Sequence, residues 1–298
     1  MNILITGGTG LIGRRLCKTL LAEGHELTVL SRKPDSVAEK CGVTVRAMRS
    51  LNEWLPSQAF DAVINLAGEP IVDQRWTEKR KQALWDSRIA LTDELVRRIA
   101  AAERKPAVLL SGSAIGYYGG RADEALDETS TAGSDFPAQL CIAWEAAARK
   151  AENFGVRVCL QRTGLVLSTE GGLLARMTTP FRLGMGTRVG DGKQWMSWIH
   201  IEDCVAIMLR LLRDGQTHGP YNVTTPQPVT NAEFTRTLAA VLRRPAPFVA
   251  PAALLKLSMG ESASLLLEGQ RVLPKKLESA HYRFQFPELR GALENLLN

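Results

Sequence analysis

Histidine and cysteine are sparse in these 298 residues, with four of the first and five of the second. His25, His200, His218 and His281 stand far apart and form no metal-ligand pattern, so no metal site is indicated. The cysteines, at positions 17, 41, 141, 159 and 204, are odd in number and show no paired spacing. Set mostly in apolar stretches, they fit buried reduced thiols rather than a disulfide framework. A long apolar run is also missing. Residues 215–232 carry no charge but are rich in Thr, Pro and Gln, so no membrane-spanning helix and no membrane partner are expected. Blocks of one charge, internal repeats and low-complexity segments are absent as well. The net charge is +6, yet the cations are spread as pairs such as Arg14-Arg15, Arg97-Arg98 and Lys275-Lys276. A nucleic-acid face gathers its cations and interleaves aromatics. Solvated helix faces and an anionic small ligand account for the excess, and nucleic acid is not expected. The first strand-like run starts at Asn2 with no signal peptide before it, and the expected location is the cytoplasm.

What the chain has is alternation. Strand-like runs at 2–6, 26–31, 43–48, 61–67, 107–113 and 156–163 are separated by stretches of helical spacing, such as Ile12, Leu16, Leu20 and Leu91, Leu95, Ile99. Nearly continuous apolar strands between helices predict an α/β fold, a doubly wound parallel sheet covered on both faces. After residue 166 the pattern breaks. Gly and Pro punctuate 171–192, MSWI (196–199) and YNVT (221–224) look like strands, and a helix is expected near 202–213. From 226 the chain is mainly helical, apart from PAPFVAP (245–251) and a possible strand at YRFQF (282–286). The expected division is a first domain of 1–165 plus about 196–225. A smaller substrate lobe would take 166–195 and 226–298.

TGGTGLIG (6–13) follows the first strand and opens the first helix. Gly7 permits a tight turn, Gly10 lets the backbone approach a pyrophosphate, and Gly13 lets the helix pack on the strand. Thr6, Leu11 and Ile12 complete this candidate loop, and the helix N-terminus offers free N–H groups. An NAD site carries an acid at the end of the second strand, for the ribose 2′-hydroxyl. Here Ser31-Arg32-Lys33 stands instead. Two cations and a hydroxyl suit a 2′-phosphate, so NADP(H) is the expected cofactor.

With these pieces the chain resembles the extended short-chain dehydrogenase/reductases, a superfamily that includes nucleotide-sugar epimerases and dehydratases. NLAG (65–68), SGSAIGYYG (111–119), LQRTGLVL (160–167) and WIHIEDCV (198–205) carry the likeness further. It is closer still to an atypical branch, the YfcH group of epimerase family proteins, through NLAGEPI (65–71), RWT (75–77), WEAAA (144–148), SWIHIED (197–203) and GQRVLPKKL (269–277). The resemblance implies a Rossmann core and NADP(H) binding. It places Leu66, Ala67 and Gly68 under the adenosine or its ribose, Thr163 near the nicotinamide, and Ser111 among the cofactor residues. Ser113 falls at the superfamily's Ser/Thr that hydrogen-bonds the reacting oxygen.

One device of that superfamily is missing. Of the four tyrosines, 117, 118, 221 and 282, none has a lysine four residues on. Counting back from Arg162, Glu145 falls at the superfamily's helix acid, Cys141 at the lysine and Pro137 at the tyrosine. The branch itself is described as lacking the pair. Tyrosine is the proton-transfer group and lysine lowers its pKa and grips the nicotinamide ribose, so proline can do neither job. Tyr117 and Tyr118, at the ligand edge of the fifth strand, are candidate replacements beside Ser113, or else line the nicotinamide pocket. Cys141 is a weaker candidate donor.

The expected substrate mouth is 184–200, with Arg188 and Lys193 for an anionic group and Trp195 and Trp198 for a flat or apolar one. His200 is included, although its place at a strand-to-helix junction, with Glu202-Asp203 starting the next helix, suits a structural role. Arg75-Trp76 and Arg88 would contribute more weakly. Two functions follow. One is an NADP(H)-dependent reductase, epimerase or dehydratase-like enzyme on an unknown small, phosphorylated or nucleotide-linked substrate. The other is a non-catalytic NADP(H)-binding redox sensor or interaction module. Either would be a monomer or a homodimer.

Overall fold

In the computed structural model, which describes residues 1–297, seven strands form one parallel sheet. They are β1 (Asn2–Thr6), β2 (Glu26–Leu30), β3 (Arg46–Met48), β4 (Ala62–Asn65), β5 (Val108–Ala114), β6 (Arg157–Thr163) and β7 (Gly219–Val223). Their order across the sheet is β7-β6-β5-β4-β1-β2-β3. Successive side chains of a strand point to opposite faces, and β1 shows the result. Ile3 and Ile5 join Leu16, Cys17 and Leu20 of α1 (Leu11–Ala22) and Val205 and Met208 of α4 (Ile201–Arg213). Leu4, between them, joins Leu95 and Ile99 of α2 (Leu91–Ala101) and Ala148 of α3 (Phe136–Arg149) on the other face. Each fully buried aliphatic side chain of this kind stabilises by about 1.5–3 kcal/mol.

The chain runs outward in both directions from β1 and β4, so their carboxyl ends flank the point where strand order reverses. Ligands of open α/β sheets bind there. The helical run before β5 is irregular. A helix at Glu78–Trp85 passes through one π turn, Asp86–Ala90, before α2 begins.

The lobe has its own core, in which Leu174, Phe181 and Trp198 meet Phe234 and Leu238 of α5 (Asn231–Leu242) and Leu293 of α6 (Leu289–Leu297). The expected lobe of 166–195 and 226–298 also reaches the main sheet, where Leu277 sits in the core with Val223, and Tyr282 and Phe284 pack against it. The expected strand at 282–286 does not form. The amides of Gln285 and Phe286 donate to the buried Asp203 carboxylate (2.8 and 2.9 Å), so a side chain takes the place of a neighbouring strand. Likewise the run 43–48 is a strand only from Arg46, with Val43 left in solvent. Among the described residues no helix is long and apolar enough to cross a membrane.

Candidate functional site

The β1–α1 corner is built of backbone packed on backbone. Gly7 has φ +71°, and a Cβ there would lie 2.6 Å from the Leu66 carbonyl. At Gly13 a Cβ would come within 2.3 Å of the Gly7 oxygen. Gly10 differs, for its amide donates to the Gly7 carbonyl (3.0 Å) but a Cβ would meet only that oxygen, at 3.2 Å. Its missing side chain therefore clears the outer side of the loop. No side chain caps α1 and no acid stands in its first turn. An uncapped helix start facing a sheet's switch point attracts anions, so the corner fits a pyrophosphate.

At the end of β2 the expected cations are in place. Lys33 is exposed, and the Arg32 side chain is 88 % exposed. Sequence reading missed Arg32's partner: its Nη1 donates to Glu69 Oε1 at 2.6 Å. Arg32, and to a lesser extent Arg80, hold the Glu69 carboxyl below the usual carboxylate range.

Below the β4 loop lies a buried polar network. The Thr6 hydroxyl donates to Asn65 Oδ1 (2.6 Å) and accepts from the Ala67 amide (3.2 Å). Asn65 Nδ2 donates to Thr92 Oγ1 (2.8 Å) and Ser111 Oγ (3.3 Å), while the Trp144 indole also donates to Thr92 (3.1 Å). Thr6 and Ser111 are fully buried, so their side chains brace the loop from beneath and do not line a ligand path, which corrects the expectation for both. Leu66 and Ala67 are half-buried and Gly68 is exposed, on the open side of that loop.

A second network joins β5, β6 and α3. Arg162 pairs with Glu145 through two contacts, Nε to Oε1 at 2.8 Å and Nη2 to Oε2 at 2.9 Å, with both side chains buried. Burial alone would lower the Arg162 pKa, but Glu145 holds it above the ordinary value. Ser113 is buried and donates its hydroxyl hydrogen to Glu145 Oε1 (2.7 Å), which leaves its oxygen free only to accept, whereas polarising a carbonyl would need it to donate.

The two adjacent tyrosines diverge. Tyr118 is fully buried; its hydroxyl donates to Asn222 Oδ1 (2.6 Å) and accepts from Arg162 (3.1 Å). Burial pushes its phenol up to about 12. It belongs to the core, and its candidacy as a catalytic group is withdrawn. Tyr117 is half-buried, with the Arg162 guanidinium 3.4 Å over its ring, and among the described residues its hydroxyl has no hydrogen-bond partner. Its phenol is left free beside Arg162.

Cys141 is buried one turn before Glu145, and burial pushes its thiol up to about 11. Pro137 stands in the first turn of α3, and a Cβ at Gly116 would lie 3.3 Å from it. Thr163 ends β6, half-buried.

The expected mouth is only partly there. Trp198 is fully buried and donates to the Gln227 carbonyl (3.2 Å), because its strand, Trp198–His200, pairs with Leu165–Leu167 inside the molecule. His200 is buried too; its ring accepts the Glu202 amide (3.1 Å) to cap α4 and stacks on Phe286 at 3.9 Å. Both are held in the core, unlike the open mouth expected for them. Trp76 also packs inside, against Phe136, and Arg75 lies on Gly260. Lys193 is exposed, Trp195 half-buried with its indole donating to Asp123 (2.8 Å), and Arg188 half-buried with a buried Nε that has no partner. Arg271, which sequence reading left without a role, lies 4.9 Å over the Trp195 ring, and its buried Nε is also unpartnered. A cleft of about 650 Å³ adjoins this segment, bordered by Gly190, Gln194, Lys256 and Glu268.

Comparison with known proteins agrees with this geometry. Residues 3–224 match the profile of the NAD dependent epimerase/dehydratase family, and 250–296 match a domain of unknown function, DUF1731. The chain is similar to the epimerase family protein Mb2239 of Mycobacterium bovis, 39% identical over 98% of this chain and 96% of that protein. It is 38% identical to the Arabidopsis thaliana protein named epimerase family protein SDR39U1 homolog, chloroplastic, over 100% of this chain and 87% of the other. The crystal structure of human epimerase family protein SDR39U1, isoform 2, with NADPH, superposes with a TM-score of 0.90 at 36% identity, covering 99% of both chains. A glycine corner, a reversed strand order and full-length similarity lead to one assignment: this chain belongs to the NAD dependent epimerase/dehydratase family, among its epimerase family proteins.

Proposed function

We propose that the protein is an NADP(H)-dependent oxidoreductase or epimerase-like enzyme acting on a small anionic substrate, phosphorylated or nucleotide-linked. The observation that carries this reading is that the carboxyl end of β5 carries a half-buried phenol with no hydrogen-bond partner, Tyr117, whose ring lies under Arg162, the partner of the Glu145 that Ser113 bonds. The α1 corner would hold the pyrophosphate and Arg32 with Lys33 the 2′-phosphate, a preference supported by the human relative solved with NADPH. Leu66 to Gly68 and Thr163 would flank the rest of the cofactor. When bound, the dinucleotide supplies or accepts a hydride.

The chain's own residues would manage the proton. Ser113, its hydrogen committed to Glu145, is set to accept a hydrogen bond from a substrate hydroxyl, and Tyr117 can give or take a proton at the reacting oxygen. Arg188 and Arg271, each with an unpartnered buried Nε, would draw the anionic end of the substrate. Lacking a Tyr/Lys pair, turnover should be slow, since a positioned acid–base is worth about 10²–10⁴ in rate. The test is a panel of carbonyl and nucleotide-sugar substrates with NADPH, read against a Gly10→Asp control. Turnover above the control that falls in Ser113→Ala supports the reading, and none above it would remove the enzyme.

The missing pair also favours a second reading, an NADP(H)-binding sensor or interaction module. It predicts that effects of the protein survive Ser113→Ala but not Gly10→Asp. On either reading we place the protein in the cytoplasm, as a monomer or homodimer without nucleic-acid or membrane partners. Five free, buried cysteines suit a reducing compartment.

A further inference from the structure

We propose that Arg88 is the cation that serves the nicotinamide half of the dinucleotide, in place of the lysine absent at position 141. This rests on the cofactor reading above and adds a residue to it.

Four observations meet at this side chain. First, Arg88 occupies the middle of the only π turn among the described residues, Asp86–Ala90, between two α-helical stretches. Single π turns inside helices give up regular hydrogen bonding and recur where a side chain must be re-aimed for function. Second, the turn lays Arg88 across the β4 loop: a Cβ at Gly68 would sit 2.9 Å from its Cζ, so the guanidinium packs directly on the glycine backbone. Gly68 is exposed, on the loop past which the dinucleotide would run.

Third, the charge has no counter-ion. Arg88 donates to the carbonyls of Glu69 (2.9 Å) and Leu84 (3.3 Å) and to Ser87 Oγ (3.4 Å), all neutral acceptors. Among the described residues no carboxylate pairs with it. The carboxylate of Glu69 turns to Arg32 and Arg80. Burial lowers the Arg88 pKa from the ordinary arginine value, yet a guanidinium stays charged. A largely desolvated cation left with neutral partners calls for electron-rich groups from a ligand.

Fourth, α3 presents Cys141 and Trp144 to the same space. The guanidinium lies 5.3 Å over the Trp144 ring, and the field of Arg88 acts on the Cys141 thiol. A long cationic side chain at 141 would compete with Arg88 for this room, whereas the short, uncharged thiol leaves it free. The cation has thus moved from α3 to the helix that faces it.

The experiment separates the two halves of the cofactor by titrating NADPH, and 2′,5′-ADP, which lacks the nicotinamide half, while following tryptophan fluorescence and calorimetric heat. Arg88→Gln keeps amide donors toward the Glu69 and Leu84 carbonyls but removes the charge. We expect NADPH affinity to fall about tenfold, the scale of one charged hydrogen bond, with 2′,5′-ADP affinity unchanged. Adding Cys141→Lys to Arg88→Gln should restore most of the NADPH affinity, which no structural staple at Arg88 would do. Equal loss of both ligands assigns Arg88 to the fold and overturns the inference, as does unchanged NADPH binding. If the unaltered protein binds neither ligand, the cofactor reading itself falls.

Discussion

Two arginines pack against neighbouring residues of α3, Trp144 and Glu145, and live under different rules. Arg162 is buried against Glu145 in a two-point ion pair, stacked on Tyr117 and tied to Tyr118. Arg88 is held by carbonyls and a serine alone, against an exposed glycine. One charge is answered inside the protein and organises the fold around β5, β6 and α3. The other is left over at the crevice. The difference teaches that a charged residue in a site is read by what neutralises it, not by its type.

The largest effect should come from breaking the answered charge. Glu145→Gln leaves Arg162 buried beside a neutral amide and should destabilise the protein by about 3–5 kcal/mol in denaturant unfolding. A loss below about 1 kcal/mol would mean that Arg162 reaches water, and the contrast would fail. Next comes the tyrosine pair. Tyr118→Phe strands Asn222 and should cost about 1–3 kcal/mol of stability. Tyr117→Phe should leave stability unchanged and lower any turnover by about 10²–10⁴. Equal stability losses would erase the distinction drawn between them.

A smaller change sharpens the cofactor side. Glu69→Gln frees Arg32, and NADPH affinity should rise a few-fold at low salt, with less gain at high salt, because the pair is exposed. The smallest concerns His200. Its neutral ring caps α4, and burial lowers its pKa. The stability it adds is therefore complete above its ordinary pKa near 6.5 and fades as pH falls through the lower folded value. The loss is limited to about 0.5–2 kcal/mol, the worth of a cap. Unfolding midpoints from pH 7 to 4.5 should show this step in the native protein and not in His200→Asn.

Much of the fold and of the cofactor corner is legible in the sequence, because those signals are local. Gly7, Gly10 and Gly13 sit at fixed offsets in one loop, and Arg32-Lys33 closes a strand whose end shows in its pattern. What escaped sequence reading depends on distant partners. Glu69 is 37 residues from the arginine it pairs with. Trp198 and His200 look like mouth residues until their strand is seen paired inside the molecule. Tyr117 and Tyr118 are neighbours in sequence, and only the 3₁₀ turn at Ile115–Tyr118 leaves one half-buried with a free hydroxyl and sends the other to the core. A π turn has no sequence signature, so the weight of Arg88 could not be read from WDSRIALTDEL.

The most direct measurement is a crystal structure with NADPH. The account predicts an Arg88 nitrogen within about 3 Å of a nicotinamide-side ribose oxygen, with the Arg162–Glu145 pair unchanged. An Arg88 that keeps only its carbonyl partners while the nicotinamide lies elsewhere would contradict it.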